Sequence, residues 1–304
     1  MSLFQMSVAG GVLILFIVVI RALAIHRLPK TTFLALWMIA ALRLLLPLSI
    51  PMPFKIHIDL DVFSDVVQEL PSGNIASTLP GDSPPSYDIG TAVPSPATEH
   101  ISTFEILWLV GVLLLAIYFS ISYFRSMRKF RMSVPDNTPY IREWLNAHQI
   151  VRPIEVRSSD LISSPLTYGI LHPVILLPKK LDRNDQAALQ YVLTHEYVHI
   201  RRFDAITKIL FAAVLCIHWF NPLVWGMYVL ANRDTELSCD AWVIRMTGVK
   251  NRSSYALMLI KMEERRNGMS ALWNHFGKNA ISERIEAIMK FKKTSIWACI
   301  LALA

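Results

Sequence analysis

Three stretches of this chain are long and apolar enough to be candidate membrane helices, and they limit every fold it can adopt. The first, roughly Leu3 to Ile20, has the core GGVLILFIVVI. The second, TTFLALWMIAALRLLLPLSIPMPF, covers residues 31–54, and the third, FEILWLVGVLLLAIYFSISYF, covers 104–124. About 20 apolar residues cross a bilayer. Lipid offers no hydrogen-bond partner to a backbone, so such runs form helices. The first run lacks a basic leader and a small-residue cleavage site, so it reads as a span and not a signal peptide. Arg43 lies inside the second run. A charge at that depth is costly, and it either faces protein or water or snorkels to the interface. A fourth run, TSIWACILALA, begins at Thr294 and reaches Ala304. It is too short to span and reads as the start of a fourth helix, truncated by the end of the chain.

Charge orients these helices. Arg21, Arg27 and Lys30 sit between the first two runs, and Arg125, Arg128, Lys129 and Arg131 follow the third. Residues 55–103 carry a single Lys and are rich in Asp, Ser and Pro, the composition of a flexible polar loop. Basic loops stay on the cytoplasmic side. The expected organisation is therefore two spans over residues 1–54, an extracellular loop over 55–103, a third span over 104–124, a cytoplasmic domain over 125–293, and the fourth span from 294. The N-terminus is outside. Mean hydropathy of +0.40 and 53% hydrophobic residues fit a membrane protein. The net charge of +7 belongs to the orienting loops and implies no direct nucleic-acid binding. Cys216, Cys239 and Cys299 are too few and too scattered for a disulfide framework.

The cytoplasmic segment reads as an α+β domain. VPDNTPYIREWLNAHQI predicts a capped, short amphipathic helix. IEVRSSDLISSPLTYGILHPVILLP predicts short strands with a turn near Gly169. Asp182 or Asn184 is the expected cap of the next helix. An apolar pair, AITKILFAAVLCIHWF and LVWGMYVLANRDTELSCDAWVIRM, is broken at Asn221-Pro222. It is expected to be a hairpin buried under the catalytic helices, dipping at most into the cytoplasmic leaflet. If it crossed the membrane, the two halves of the site described next would lie on opposite sides. SERIEAIMKFKK closes the domain as a basic helix.

The chemistry lies in LTHEYVHIRRFD, which contains H-E-x-x-H. Helical residues four apart share a face, so His195 and His199 can hold one zinc ion, with Glu196 beside them as the base. ELSCD supplies Glu236 and Asp240, again four apart. Glu236 can complete a three-ligand set. Asp240 can orient a zinc-bound histidine, with His195 the expected partner. H-E-x-x-H alone arises by chance in unrelated chains, and an E-x-x-x-D is weaker still. Their combination on helices joined by a hairpin is stronger. His218 and Cys239 are read as packing residues, although Cys239 could approach the metal. Tyr168 and Arg233 are weak candidates for stabilising an oxyanion. Residues 166–169 or 173–177 could pair with an extended substrate. A structural zinc would normally have four protein ligands, and only three are found, which argues against a non-catalytic membrane scaffold.

SPLTYGILHPVILLP, LTHEYVHIRRFD, FNPLVW and ELSCDAWV, in this order and spacing, resemble the BlaR/MecR-type integral-membrane zinc metallopeptidases, the antibiotic-sensing signal transducers. The likeness covers essentially the whole chain. It implies a gluzincin-like protease domain, one Zn²⁺ on His195, His199 and Glu236, and Glu196 as catalytic base. In members that carry a C-terminal penicillin-binding sensor, β-lactam sensing leads to loss of a BlaI/MecI-type repressor, whereas other members of the wider family lack that sensor. The likeness also implies self-cleavage beside a Phe, which falls here at His275–Phe276, in a segment expected to be extended. The candidate partners are membrane lipid, a protein substrate and a second copy of the chain as a homodimer. Quality-control proteases of the HtpX/Ste24 group share H-E-x-x-H with a downstream Glu and are the alternative. The wording YGILHPVILLP and HIRRFD favours the sensor family.

Overall fold

The computed structural model describes residues 3–25, 28–46, 103–267 and 274–291, with backbone only for 265–267 and 274–279. Residues 55–102 of the expected loop, the end of the second apolar run and the fourth run lie outside the described residues, and Thr103 begins a helix. The described residues of 3–46 and 104–291 form one compact unit.

Its elements are α1 (Leu3–Ala24), α2 (Lys30–Leu45), α3 (Thr103–Arg131), β1 (Val134–Pro135), α4 (Pro139–Ala147), β2 (Glu155–Ser159), β3 (Leu166–Tyr168), β4 (Val174–Pro178), α5 (Gln186–Arg202), α6 (Asp204–Ile217), α7 (Pro222–Thr247), α8 (Arg252–Asn267) and α9 (Asn274–Met289). The fold is mostly helical with one small mixed sheet. Among the described residues, α1 and α3 are long and apolar enough to cross a membrane. The third apolar run therefore forms a longer helix than its hydropathy marks, because the basic residues that follow it continue the same helix.

The four strands are ordered β1-β2-β4-β3. β4 is central, parallel to β2 and antiparallel to β3, with Leu166 opposite Leu176. Its five residues are all buried, which fits a strand covered on both faces. Gly169 makes the β3–β4 turn at φ +84°, where a Cβ would collide with the His172 carbonyl, so only glycine fits. β4 and α5 share one core: Ile175 and Leu177 pack with Val192, Leu193, Tyr197 and Val198, joined by Val243 and Ile244 of α7 and Tyr255 of α8.

α5 is capped by Asp185, whose carboxylate accepts from the Ala188 amide at 3.0 Å. Of the two expected caps, Asp182 instead accepts from the Asn184 amide at 2.9 Å in the preceding turn, and neither caps the helix. The helix ends at Phe203, the single non-glycine residue with positive φ (58°) among those described. The break turns the chain sharply into α6.

The α6–α7 hairpin departs from expectation. It does not lie beneath the catalytic helices. It runs alongside α1 and α2, sharing a core in which Phe211, Val214, Val224, Met227 and Ala231 meet Ile14, Ile17, Phe33, Trp37 and Ala41. At the Arg21 end of α1, Asp234 accepts from Arg21 at 2.9 Å and from the Trp37 indole at 2.7 Å. At the opposite end, His218 meets the Leu44 carbonyl at 3.0 Å, Asn221 donates to the Ser7 hydroxyl at 2.9 Å, and the Trp108 indole donates to the Ile217 carbonyl at 2.9 Å. With 14 residues α6 spans about 21 Å. The hairpin therefore travels most of the length of its neighbours and returns, because Asn221 caps α7 by accepting from the Leu223 amide and Pro222 starts that helix. Both of its ends return to the same end of the helix bundle, and His195 and Glu236 can meet. Close approach sets this packing: a Cβ on Gly111 would overlap the Trp219 ring, and one on Gly10 would overlap Leu44. Small residues serve this role where lipid removes the hydrophobic drive between helices.

Candidate metal centre

α5 and α7 cross so that one face of each meets at the floor of a cleft of about 560 Å³. His195, Glu196, His199 and Glu236 all line it. The first two are buried, at 9% and 7% exposure.

Three atoms converge there. Nε2 of His199 lies 3.2 Å from Nε2 of His195. Oε2 of Glu236 lies 3.6 Å from the first histidine's Nε2 and 3.7 Å from the second's. The point equidistant from these atoms is about 2.0 Å from each, the length of a zinc bond to nitrogen or carboxylate oxygen.

The outer nitrogens are held by oxygens. Nδ1 of His199 donates to Asp204 Oδ2 at 2.6 Å. Nδ1 of His195 donates to the Tyr255 hydroxyl oxygen at 2.9 Å, because that hydroxyl spends its own hydrogen on Asp240 Oδ1 at 2.6 Å. Both rings therefore donate outward from Nδ1, which leaves Nε2 as the inward atom that holds a proton in the metal-free state or faces a metal. Two lone pairs 3.2 Å apart repel unless a proton or a cation lies between them, so the donor set fits a metal ion. Burial opposes charge on His195, yet Cys239 and Glu236 outweigh it and lift its pKa to about 10. His199 is raised well above its usual value by Cys239 and Glu236, again against burial.

Asp240 lies 3.6 Å from Nδ1 of His195, and the hydrogen bond between them passes through Tyr255. Asp240 is also clamped by Arg284 of α9 through two 2.8 Å bonds, and Arg284 comes within 3.6 Å of Glu236. Lys208 reaches Glu236 at 3.4 Å. Asp204, Tyr255, Arg284 and Lys208 were not legible in the motifs. Asp204 closes HIRRFD, but a continuous helix would carry it away from His199, and only the break at Phe203 returns it.

Cys239 is nearer the site than a packing role requires. Among the described residues, His195, His199 and Cys239 form a group with ligand atoms all within 4.8 Å of one another. Its sulfur lies 3.5 Å from Nδ1 of His195, on the outward edge of the ring, and donates to the His195 carbonyl at 3.5 Å. His218 is fully buried, as a packed histidine should be. Tyr168 stacks on Phe130 and does not line the cleft, whereas Arg233 does. Of the two strands considered for substrate pairing, β4 is enclosed between β2 and β3, while β3 is an edge whose Leu166 and Thr167 line the cleft. His275 and Phe276 have no described side chains. Their backbone forms the first turn of α9 and is not extended.

An H-E-x-x-H helix facing a carboxylate helix at the floor of a cleft, beside apolar helices, is the architecture of a membrane metallopeptidase. The chain belongs to the BlaR1 peptidase M56 family, whose profile matches residues 1–288. It is 28% identical over 206 residues to the regulatory protein BlaR1 of Bacillus licheniformis, covering 64% of this chain and 34% of that protein. It is 23% identical over 303 residues to the methicillin resistance mecR1 protein of Staphylococcus aureus (strain Mu50 / ATCC 700699), covering 94% of this chain and 51% of that protein. This chain thus spans about half the length of mecR1 and about a third of that BlaR1.

Proposed function

We propose that the chain is a zinc-dependent metalloendopeptidase of the cell membrane, acting as the transducing part of a β-lactam or cell-wall-stress response. The observation that carries the reading is the triangle of His195 Nε2, His199 Nε2 and Glu236 Oε2 beside Glu196. His195, His199 and Glu236 hold the metal, and Tyr255, Asp240 and Asp204 keep the two imidazoles aimed at it. A bound zinc would supply Lewis acidity, lowering the pKa of a water towards about 7 and polarising the scissile carbonyl. Glu196 accepts that water's proton and passes it to the leaving amine. The β3 edge aligns an extended substrate along the cleft by strand pairing. The likeness to proteins named for regulation and methicillin resistance supports the signalling role. The substrate is a cytoplasmic repressor of the BlaI/MecI type, the chain itself, or both.

The decisive variant is Glu196→Gln. It keeps about one zinc per chain and loses peptide cleavage by at least about 100-fold, the contribution of a general base. Full cleavage in this variant overturns the mechanism. Self-cleavage at His275–Phe276 requires the first turn of α9 to unwind, since a protease reads extended backbone. Fragment mass spectrometry of the full-length protein under induction should then find a new N-terminus at Phe276 that is absent in Glu196→Gln. A fragment that persists in the variant assigns the cut to another protease.

A further inference from the structure

Beside α7 lies a second cavity, about 380 Å³, that shares only Leu237 with the cleft. Its walls come from the α1–α2 turn, α7 and α9. Lys30, Arg245 and Lys290 line it, together with one carboxylate, Asp240. That carboxylate is already satisfied by Arg284 and Tyr255. Lys30 also donates to the Ile25 carbonyl and feels Asp234, Glu283 and Glu286 nearby, but none of these three carboxylates lines the cavity, whose lining is cationic. Lys290 pairs with the exposed Glu286 at 2.6 Å, with 65% and 49% of the two side chains accessible. A pair this exposed contributes little and exchanges readily for a stronger anion. Arg245 lies over the Phe291 ring, 5.9 Å from its centre. Leu28, Ile244 and Phe291 make the rest of the wall apolar.

The level of this cavity along the apolar helices follows from the pairing of α2 with α7. The two run antiparallel: Trp37 bonds Asp234 at one level, and Leu44 meets His218 nearer the far end. Stepping back from Trp37 to Lys30 matches stepping forward from Asp234 to Ala241. Lys30, the first residue of α2, and the Ala241–Arg245 turn thus share one level, where the apolar helices end. With α1 crossing the bilayer, as in the proposed function, this level lies beside the lipid headgroups, where basic pockets between helices suit anionic lipids.

We propose that this cavity binds the headgroup of an anionic phospholipid, with the phosphodiester held by Lys30, Arg245 and Lys290. The binding braces α9 against α7 behind the Asp240–Arg284 pair. A free phosphate would satisfy the same cations but would leave the apolar half of the cavity unfilled.

Native mass spectrometry of the full chain in neutral detergent tests this, with dioleoylphosphatidylglycerol and dioleoylphosphatidylcholine as probes. The wild type should keep one phosphatidylglycerol under activation that strips phosphatidylcholine. The double variant Arg245→Gln/Lys290→Gln should bind about 30-fold more weakly, as expected for two lost cations at a membrane surface. Arg245→Lys should retain binding. Arg125→Gln/Lys129→Gln, which removes the same charge from α3, should behave as wild type. Equal retention of both lipids by the wild type, or undiminished retention by the first double variant, overturns the site. Displacement of the lipid by millimolar inorganic phosphate or glycerol 3-phosphate overturns the lipid as ligand in favour of a soluble phosphate. Retention needs no peptide cleavage, so its failure is separate from failure of the peptidase reading.

Discussion

Asp204 holds His199 from the first residue of the next helix, Oδ2 to Nδ1 at 2.6 Å, and it can do so because Phe203 between the two helices is left-handed. The carboxylate fixes the tautomer and raises the basicity of the inward nitrogen. Asp204→Asn should therefore lower zinc affinity about 10- to 100-fold while leaving the fold intact, measured by competition with a chromogenic chelator. Unchanged affinity would mean that Asp204 only closes the turn.

Glu236 and Cys239 offer different third ligands, and cobalt distinguishes them. The inward position of Glu236 predicts that the cobalt-substituted protein lacks an intense sulfur-to-cobalt charge-transfer band in the near ultraviolet. Cys239→Ser should keep metal stoichiometry near one, and Glu236→Ala should lose most of it. A strong charge-transfer band that disappears in Cys239→Ser would move the ligand role to the thiol.

The two imidazoles compete for protons and for metal. In metal-free protein the His195 pKa stands at about 10, against 6.5 for an unperturbed histidine. A raised pKa contributes stability that is fully present below 6.5 and is lost as pH rises through about 10. Metal-free protein should therefore melt at progressively lower temperature from pH 7 to pH 10, with zinc-loaded protein changing less. Zinc binding at pH 7.5 should release protons, detectable as a dependence of calorimetric heat on the buffer's ionisation enthalpy. Binding without proton release would contradict the protonated pair.

Sidedness rests on the basic residues after α1 and α3. A cysteine at Ser83 should label from outside intact cells, and one at Ser158 should not. Reversed labelling would remove any cytoplasmic substrate. The hairpin tip adds a second check. Gly111→Val drives a side chain into the Trp219 ring and should lower thermal stability in detergent, whereas Gly226→Ala, where a Cβ meets nothing within 4 Å, should not.

Much of this protein was determined by short-range pattern. Four-residue spacing put His195 with His199 and Glu236 with Asp240, because the helix period alone decides which side chains share a face. Apolar runs marked α1 and α3, because a spanning backbone must satisfy its own hydrogen bonds. What only the tertiary structure decided are the relationships between distant segments. Tyr255 stands between Asp240 and His195, Arg284 enters from α9, and Asp204 returns to His199 across a backbone break that Phe203 gives no sign of in the sequence. The hairpin's packing partners belong here too. Its hydropathy suits packing against the catalytic helices and against the apolar helices equally, and pairings such as Asn221 with Ser7 and His218 with Leu44 place it against α1 and α2. The same holds for the strands: β3 and β4 are both apolar, and strand order alone leaves β3 at the edge of the cleft. Periodicity encodes the face a residue presents. The partner it meets depends on how separate elements pack, and no local pattern carries that information.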